Sequence, residues 1–345
     1  MGSQAGLHLR DYGLSVLLVD AAEPPHGRGS HHGETRLYRQ AYAGPGRGTQ
    51  YVPLALQALD RWLGLERRSG RQLLHRTGVI NIAPEDSSAH AAKTANARLY
   101  GLDVEELSPR NIERRWPGLR VPRGSVGLWE AEAGILDAEA SVRTALSAAR
   151  AAGAVFVESE VTAVERGGVV TADGVFRARR ILVTANASVP GLLADFGLSL
   201  PVTALRQTAA WFEADEVHDA RRLPGFTFET RGAQFYGFPS FGSGVKIGRH
   251  DRAAGSGELR TFAQTHLPGT RGLLRGVECV YDVSADEDFV IDQVPGAAVW
   301  YATGFSGHGF KFAPAVGDLL ARWLVTGERP PLLEGFREAR FSLTS

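Results

Sequence analysis

Apolar runs of strand length and segments of helical period divide this chain from its first residues onward. Leu14-Ser15-Val16-Leu17-Leu18-Val19-Asp20 is a continuous run ending in an acid, the pattern of a parallel strand buried on both faces. Gly2 to Tyr12 before it has helical spacing with Gly2 and Gly6 inward. Tyr51 to Leu63 and Ala89 to Tyr100 predict helices, Val79 to Ile82 a short strand, and Trp116-Pro117-Gly118 a loop. Ala154 to Val164 and Val169 to Phe176 are rich in strand formers and lead into Arg180 to Asn186, a strand ending in small residues. From Leu205 to Gly248 the alternation is that of an antiparallel sheet. Near the end, the run Ala298 to Ala302 feeds Gly304-Phe305-Ser306-Gly307-His308-Gly309-Phe310-Lys311-Phe312, and Val316 to Leu324 returns to helical period. Strand, glycine turn, helix is how a chain aims backbone N–H groups and a helix's positive end at an electron-rich ligand. The expected class is α/β: a doubly wound cofactor domain and a second, antiparallel-sheet domain, with the chain crossing between them more than once.

At 345 residues the chain is long for a single core. The 38 basic and 38 acidic residues balance, which leaves no net field to recruit nucleic acid or an anionic membrane. No apolar run approaches the ~20 residues that span a bilayer. A single cysteine excludes an internal disulfide and a thiolate metal cluster, and the expectation is a cytoplasmic enzyme. No internal repeat or low-complexity tract is present.

Several side chains carry candidate chemistry, each beside an ordinary alternative. Asp20, at the end of a second strand, is either an acceptor for ribose hydroxyls or a turn acid. Lys246, Gly248 and His250 alternate onto one face of a predicted strand; the lysine either projects over a cofactor or is solvated. Arg36 and Arg39 follow Thr35, and their guanidinium forks match a carboxylate or flank a flat ring, unless they are plain surface residues. His31 and His32 lack acidic or cysteine partners at metal spacing, so no metal site is expected. His308 and Lys311 sit in the glycine turn at a helix start, where a cation is unfavourable for the helix and is tolerated for an anionic ligand's sake. Cys279 alone reads as a small buried hydrophobe.

Taken in order, Leu17-Leu18-Val19-Asp20, Gly29-Ser30-His31-His32-Gly33-Glu34-Thr35-Arg36, Tyr51-Val52-Pro53-Leu54-Ala55-Leu56, Tyr236-Gly237-Phe238-Pro239-Ser240-Phe241, Cys279-Val280-Tyr281 and Gly304 to Phe312 resemble the monomeric sarcosine oxidase / N-methyltryptophan oxidase family. The resemblance runs from Gly2 to Glu328. It implies a Rossmann-like FAD-binding domain over 1–65, 135–200 and 285–345, and a substrate domain over 66–134 and 201–284. It implies FAD joined to Cys279 through a thioether, with Gly2, Asp20, Ser30, Thr35, Arg36, Gly307, Gly309 and Lys311 around the cofactor. Lys246 matches the lysine of oxygen activation, Arg39 and Lys311 the pair that holds a substrate carboxylate, and Tyr236, His250, Tyr281 and His308 the cavity lining. The implied reaction is oxidation of a secondary N-methyl amino acid to an imine, which hydrolyses to an aldehyde and the amino acid, with oxygen as acceptor and hydrogen peroxide as product. A small-molecule amine and oxygen are then the only partners, and a monomer is expected. Two alternatives stand: a related flavin oxidase or dehydrogenase of a cyclic imino acid or other secondary amine, and a non-catalytic homologue.

Two departures accompany the resemblance. A complete dinucleotide fingerprint places a strand and two further glycines before Gly2, and the expectation is that these lie upstream of Met1. The stretch between His250 and Phe262 is also shorter than the family usually has. Gly127 to Asp137 fits the family pattern loosely, and no role is assigned there.

Overall fold

A computed structural model describes residues 1–43 and 45–341. Helix Gly2–Asp11 leads to strand Leu17–Asp20, which pairs in parallel with Val155–Glu158. Strand Ile181–Val183 pairs in parallel with Val299–Thr303, which also takes Val290–Gln293 as an antiparallel neighbour. All five residues of Val299–Thr303 are buried, as expected for a strand covered on both faces. Helix Ala313–Thr326 follows the glycine turn and packs on Gly2–Asp11. Pro314 stands in its first turn and Gly327 ends it in the left-handed conformation, the usual placement of these residues at helix ends.

The second body of structure is an eight-stranded mixed sheet. Its order is Leu273–Ser284, Val202–Phe212, Val245–Arg249, Ala233–Phe238, Gly225–Thr230, Val79–Pro84, Ser125–Glu130, Val104–Leu107. Every pairing is antiparallel except Gly225–Thr230 with Val79–Pro84. Alternation decides what each face carries. Phe226, Phe228, Phe235, Val245 and Ile247 form one face and bury themselves with Leu259 and Phe262 of helix Ser256–His266. Thr227, Tyr236, Trp211, Lys246 and Gly248 fall on the opposite face. A three-stranded sheet (Thr35–Tyr38, Gly134–Asp137, Leu74–His75) lies between the two bodies in sequence. A separate apolar cluster joins Tyr51, Trp62, Phe289, Phe312, Leu320 and Phe336.

Regions unassigned from sequence become ordered elements: helix Ala138–Ala151, capped by the Asp137 side chain on Ala140 N, and strands Ser125–Glu130 and Gly134–Asp137. His250 falls one residue past the end of its strand, but its N–H still donates to the Gln234 carbonyl at 2.7 Å.

Candidate functional site

One face of the large sheet floors a deep cavity. Its walls bring together Thr35, Arg36, Arg39, Tyr236, Lys246, His250, Cys279, Tyr281, Gly307, His308 and Lys311, residues drawn from both ends and the middle of the chain. Gly2, Asp20, Ser30 and Gly309 do not line it. Ser30 nevertheless fixes its neighbourhood, because its hydroxyl donates to the carbonyl of Val280, the residue after Cys279, and accepts from Asn186 Nδ2 at 2.9 Å. Asp20 Oδ1 pairs with His26 Nε2 at 3.2 Å. Gly2 opens its helix with Thr184 Oγ1 3.0 Å from where a Cβ would stand.

Lys246 is 4% exposed. Its Nζ donates to the carbonyls of Gly33 at 2.6 Å and Thr35 at 3.1 Å, and lies 5.1 Å and 4.7 Å from the ring centres of Trp211 and Phe238. Burial pushes this ammonium well below the ordinary lysine value; Arg36 adds to that, while Cys279 and Glu34 oppose it. Cys279 is half-buried, and burial raises its thiol against the pull of Arg36 and Lys246. Arg36 donates to the carbonyls of Ser30, His32 and Thr35, which fixes its guanidinium as part of the wall.

Arg39 and Lys311 come from different elements and meet over one ring. Arg39 Cζ stands 5.2 Å and Lys311 Nζ 5.4 Å from the centre of Tyr42. Lys311 donates to the His308 carbonyl at 2.8 Å, and burial, with Arg39 beside it, holds its ammonium well below the usual value. Two basic side chains are thus gathered at one point of the wall, where both are costly to desolvate without an anionic partner. His250 is pushed down to about 4, chiefly by burial and then by Arg39 and Lys311. His308 is also held well below its ordinary value by burial and Lys311. Both imidazoles are therefore neutral near pH 7. Tyr236 and Tyr281 share a hydrogen bond at 3.3 Å between hydroxyls. Two glycines make room for them: a Cβ on Gly248 would stand 2.3 Å from the Tyr236 hydroxyl, and one on Gly307, at φ 73°, 2.2 Å from the Tyr281 ring.

Comparison with known proteins decides the family. The model of the FAD dependent oxidoreductase family matches residues 1–323. The chain belongs to this family. It is 39% identical over 367 aligned residues to the N-methyl-L-tryptophan oxidase of Salmonella typhimurium, covering 99% of this chain and 96% of that protein. The same enzyme of Salmonella arizonae is 39% identical over 368 residues. Among solved structures, NikD, an unusual amino acid oxidase essential for nikkomycin biosynthesis, superposes with a TM-score of 0.83 at 21% identity, covering 97% of this chain and 94% of that one. L-proline dehydrogenase from P. horikoshii superposes with a TM-score of 0.83 at 19% identity, covering 99% and 95%. These two likenesses establish the fold.

The residues present fit the cofactor of this FAD-dependent oxidoreductase family. The cavity presents a half-buried thiol, a buried ammonium and a fixed guanidinium on one stretch of wall. Buried polar atoms without a partner, His32 Nε2 and Gln207 Oε1, sit beside it. Orphaned polar atoms of this kind call for a ligand.

Four residues that the sequence left unassigned belong to the same surroundings. Glu130, 3% exposed, accepts from the backbone N–H groups of Gln40 at 2.7 Å and Ala41 at 2.9 Å and from Asn81 Nδ2 at 2.8 Å, so it fixes the chain immediately after Arg39. Lys93 and Glu229 line the cavity. Glu34 holds the turn whose carbonyls receive Lys246. An acid in an alternating strand, and a lysine in an alanine-rich helix, carry no sequence signal that separates them from solvated side chains.

Proposed function

We propose that this protein is an FAD-dependent oxidase of secondary N-methyl amino acids, with N-methyl-L-tryptophan as its leading candidate substrate. The observation that carries this reading is the meeting of Arg39 and Lys311 over Tyr42, in the cavity that also holds Cys279 and Lys246. The identity to N-methyl-L-tryptophan oxidases over nearly the whole chain supports it. FAD, when bound, accepts the hydride equivalent from the amine and passes the electrons to oxygen, which leaves as hydrogen peroxide.

The chain's own residues do the rest. Arg39 and Lys311 hold the substrate carboxylate, and its arrival favours the charged form of Lys311. Neutral His250 and His308, with the Tyr236–Tyr281 hydroxyl pair, shape the space for an amine that enters deprotonated. Lys246 and Arg36 supply fixed positive charge where negative charge develops. Cys279 binds FAD covalently through its sulfur, supported by its place on the wall as the chain's one thiol. Residues 1–65, 135–200 and 285–345 hold the cofactor, with Gly2, Asp20, Ser30, Thr35, Gly307 and Gly309 on that side, while 66–134 and 201–284 hold the substrate. The enzyme works as a monomer in the cytoplasm, a reading supported by its balanced charge and single cysteine. Among the described residues no helix is long and apolar enough to cross a membrane.

The test is a panel of N-methyl-L-tryptophan, sarcosine and L-proline offered aerobically to the flavin-loaded protein, with peroxide measured. Peroxide from the N-methyl amino acids is expected. Turnover of proline alone, or only with an artificial electron acceptor, would replace the reading with a cyclic-amine enzyme or a dehydrogenase.

A further inference from the structure

The sheet that floors the cavity extends well past the groups that hold a carboxylate. Glu229 pairs across the strands with Gln234, whose carbonyl accepts from His250 N. Gln207 Nε2 donates to the His250 carbonyl at 3.2 Å, and Gln207 pairs with Cys279. One row therefore crosses five adjacent strands from Cys279 to Glu229. Four strand spacings of about 4.8 Å put roughly 19 Å between its ends. With a cofactor at the Cys279 end, the Glu229 end is open to whatever projects from the substrate's α-carbon.

That end carries two opposed charges. Glu229 is the only acid on the cavity wall among the described residues. Its Oε1 accepts from Ser87 Oγ at 2.8 Å, and Ser87 also caps helix Ser88–Leu99 through His90 N, so the carboxylate is anchored to the helix that bears Lys93. The second oxygen of Glu229 has no hydrogen-bond partner among the described residues, and neither has the Lys93 ammonium. Burial and then Arg39 bring Lys93 down to about 8, against Glu229 and Glu130. The carboxylate of an amino acid is already served by Arg39 and Lys311. Both residues are only partly buried, and an ammonium and a carboxylate oxygen that face the cavity without a protein partner are available to a ligand group.

We propose that Lys93 and Glu229 form a side-chain subsite for an electron-rich aromatic ring bearing an N–H, with the ring's π face toward Lys93 and its N–H donated to Glu229. A second carboxylate would meet Glu229, and a second ammonium would meet Lys93 and Arg39. A neutral ring with both a π face and a donor satisfies both groups at once. This inference rests on the N-methyl-L-tryptophan reading and adds to it the two residues that receive the ring.

The test uses the flavin-loaded, full-length enzyme and four amines: N-methyl-L-tryptophan, its ring-N-methylated analogue, N-methyl-L-alanine and sarcosine. The subsite predicts a kcat/KM at least about tenfold higher for N-methyl-L-tryptophan than for the ring-methylated analogue, because a site built for a donor rejects the analogue lacking it. Glu229→Leu should bring that ratio to about one, and Lys93→Met should lower turnover of both ring substrates. Both variants should change turnover of the small amines by a smaller factor than that of N-methyl-L-tryptophan, and an unchanged urea midpoint reports that they fold. A wild-type ratio near one, or a ratio unmoved in Glu229→Leu, overturns the subsite while oxidation of the small amines leaves the enzyme reading standing. No oxidation of any of the four overturns the reading and the subsite with it.

Discussion

Lys246 is held by the two carbonyls that bracket Glu34. Its Nζ donates to Gly33 O at 2.6 Å and Thr35 O at 3.1 Å, and Glu34 between them sits at φ 66° in the left-handed region. Such a conformation costs a non-glycine residue about 1–3 kcal/mol. The Glu34 carboxylate offsets the cost by accepting from Trp211 Nε1 at 3.2 Å, Ser243 Oγ at 3.0 Å and the Arg275 guanidinium, which stacks 3.9 Å from the Trp211 ring centre. Trp211 thus has Arg275 and Lys246 at its ring and Glu34 at its N–H.

Lys246 and Glu34 should therefore act on the same half of the reaction. Lys246→Met should slow reoxidation by oxygen about 100-fold or more while anaerobic reduction by substrate stays within about threefold. Glu34→Ala should reproduce part of that loss, on the order of tenfold, through displacement of the lysine. Stopped-flow measurement of the two half-reactions separates the roles; equal loss in both would make the clamp a structural element only.

Arg39→Ala removes one of the two cations at the proposed carboxylate site. A charge-assisted hydrogen bond contributes about 1.5–3 kcal/mol, so KM should rise roughly 10- to 100-fold with a smaller change in kcat. An unchanged KM would move the carboxylate elsewhere.

Glu130 accepts three hydrogen bonds while almost fully buried. Glu130→Ala leaves the N–H groups of Gln40 and Ala41 without an acceptor and takes a negative charge away from Lys93 and Lys311. Stability in urea should fall by about 3–5 kcal/mol, and loss below about 1 kcal/mol would contradict the role given to it.

His250 titrates in the folded protein at about 4, below its ordinary value. The unfolded chain binds the proton first, so this contribution to stability is present above about pH 6.5 and is lost as pH falls through about 4. His250→Asn should flatten the decline of the urea midpoint across that window. An unchanged decline would assign the effect to other groups, such as His31, which burial brings down to about 3.

Cys279→Ser should leave FAD extractable when the protein is precipitated with acid, whereas the parent protein should keep its yellow colour in the pellet. Colour retained in the Cys279→Ser pellet would exclude the thioether, since no second cysteine exists.

The frame of this molecule was legible where local chemistry and global fold agree. Val299–Thr303 is a continuous apolar run because both faces are covered, and Lys246 and Gly248 share a face because a strand alternates. Leu17–Asp20 departs from the burial that its apolar run predicts: Leu17 is exposed and the next three residues are only partly covered, with Val155–Glu158 as the one strand neighbour among the described residues. Gly307 could be placed in the site from its motif, although only the structure shows the Tyr281 ring that requires it. Glu130, Lys93 and Glu229 were illegible for a physical reason. Their significance lies in what crosses from another element: the Gln40 and Ala41 amides for Glu130, the cavity wall for Lys93, and the cap residue Ser87 for Glu229. Helix Ala138–Ala151 has a plain cap at Asp137 but follows strands whose pattern is interrupted by Gly127 and Gly134. Gly127 and Gly134 stand there because Ile112 and the His75 carbonyl press against their positions.

The most direct test of the proposed oxidation is anaerobic mixing of the flavin-loaded protein with N-methyl-L-tryptophan, followed by admission of air. The account predicts that the flavin colour bleaches on mixing, then returns with air as hydrogen peroxide forms in an amount equal to the amine consumed. Colour that persists with N-methyl-L-tryptophan and with every smaller N-methyl amino acid would contradict it.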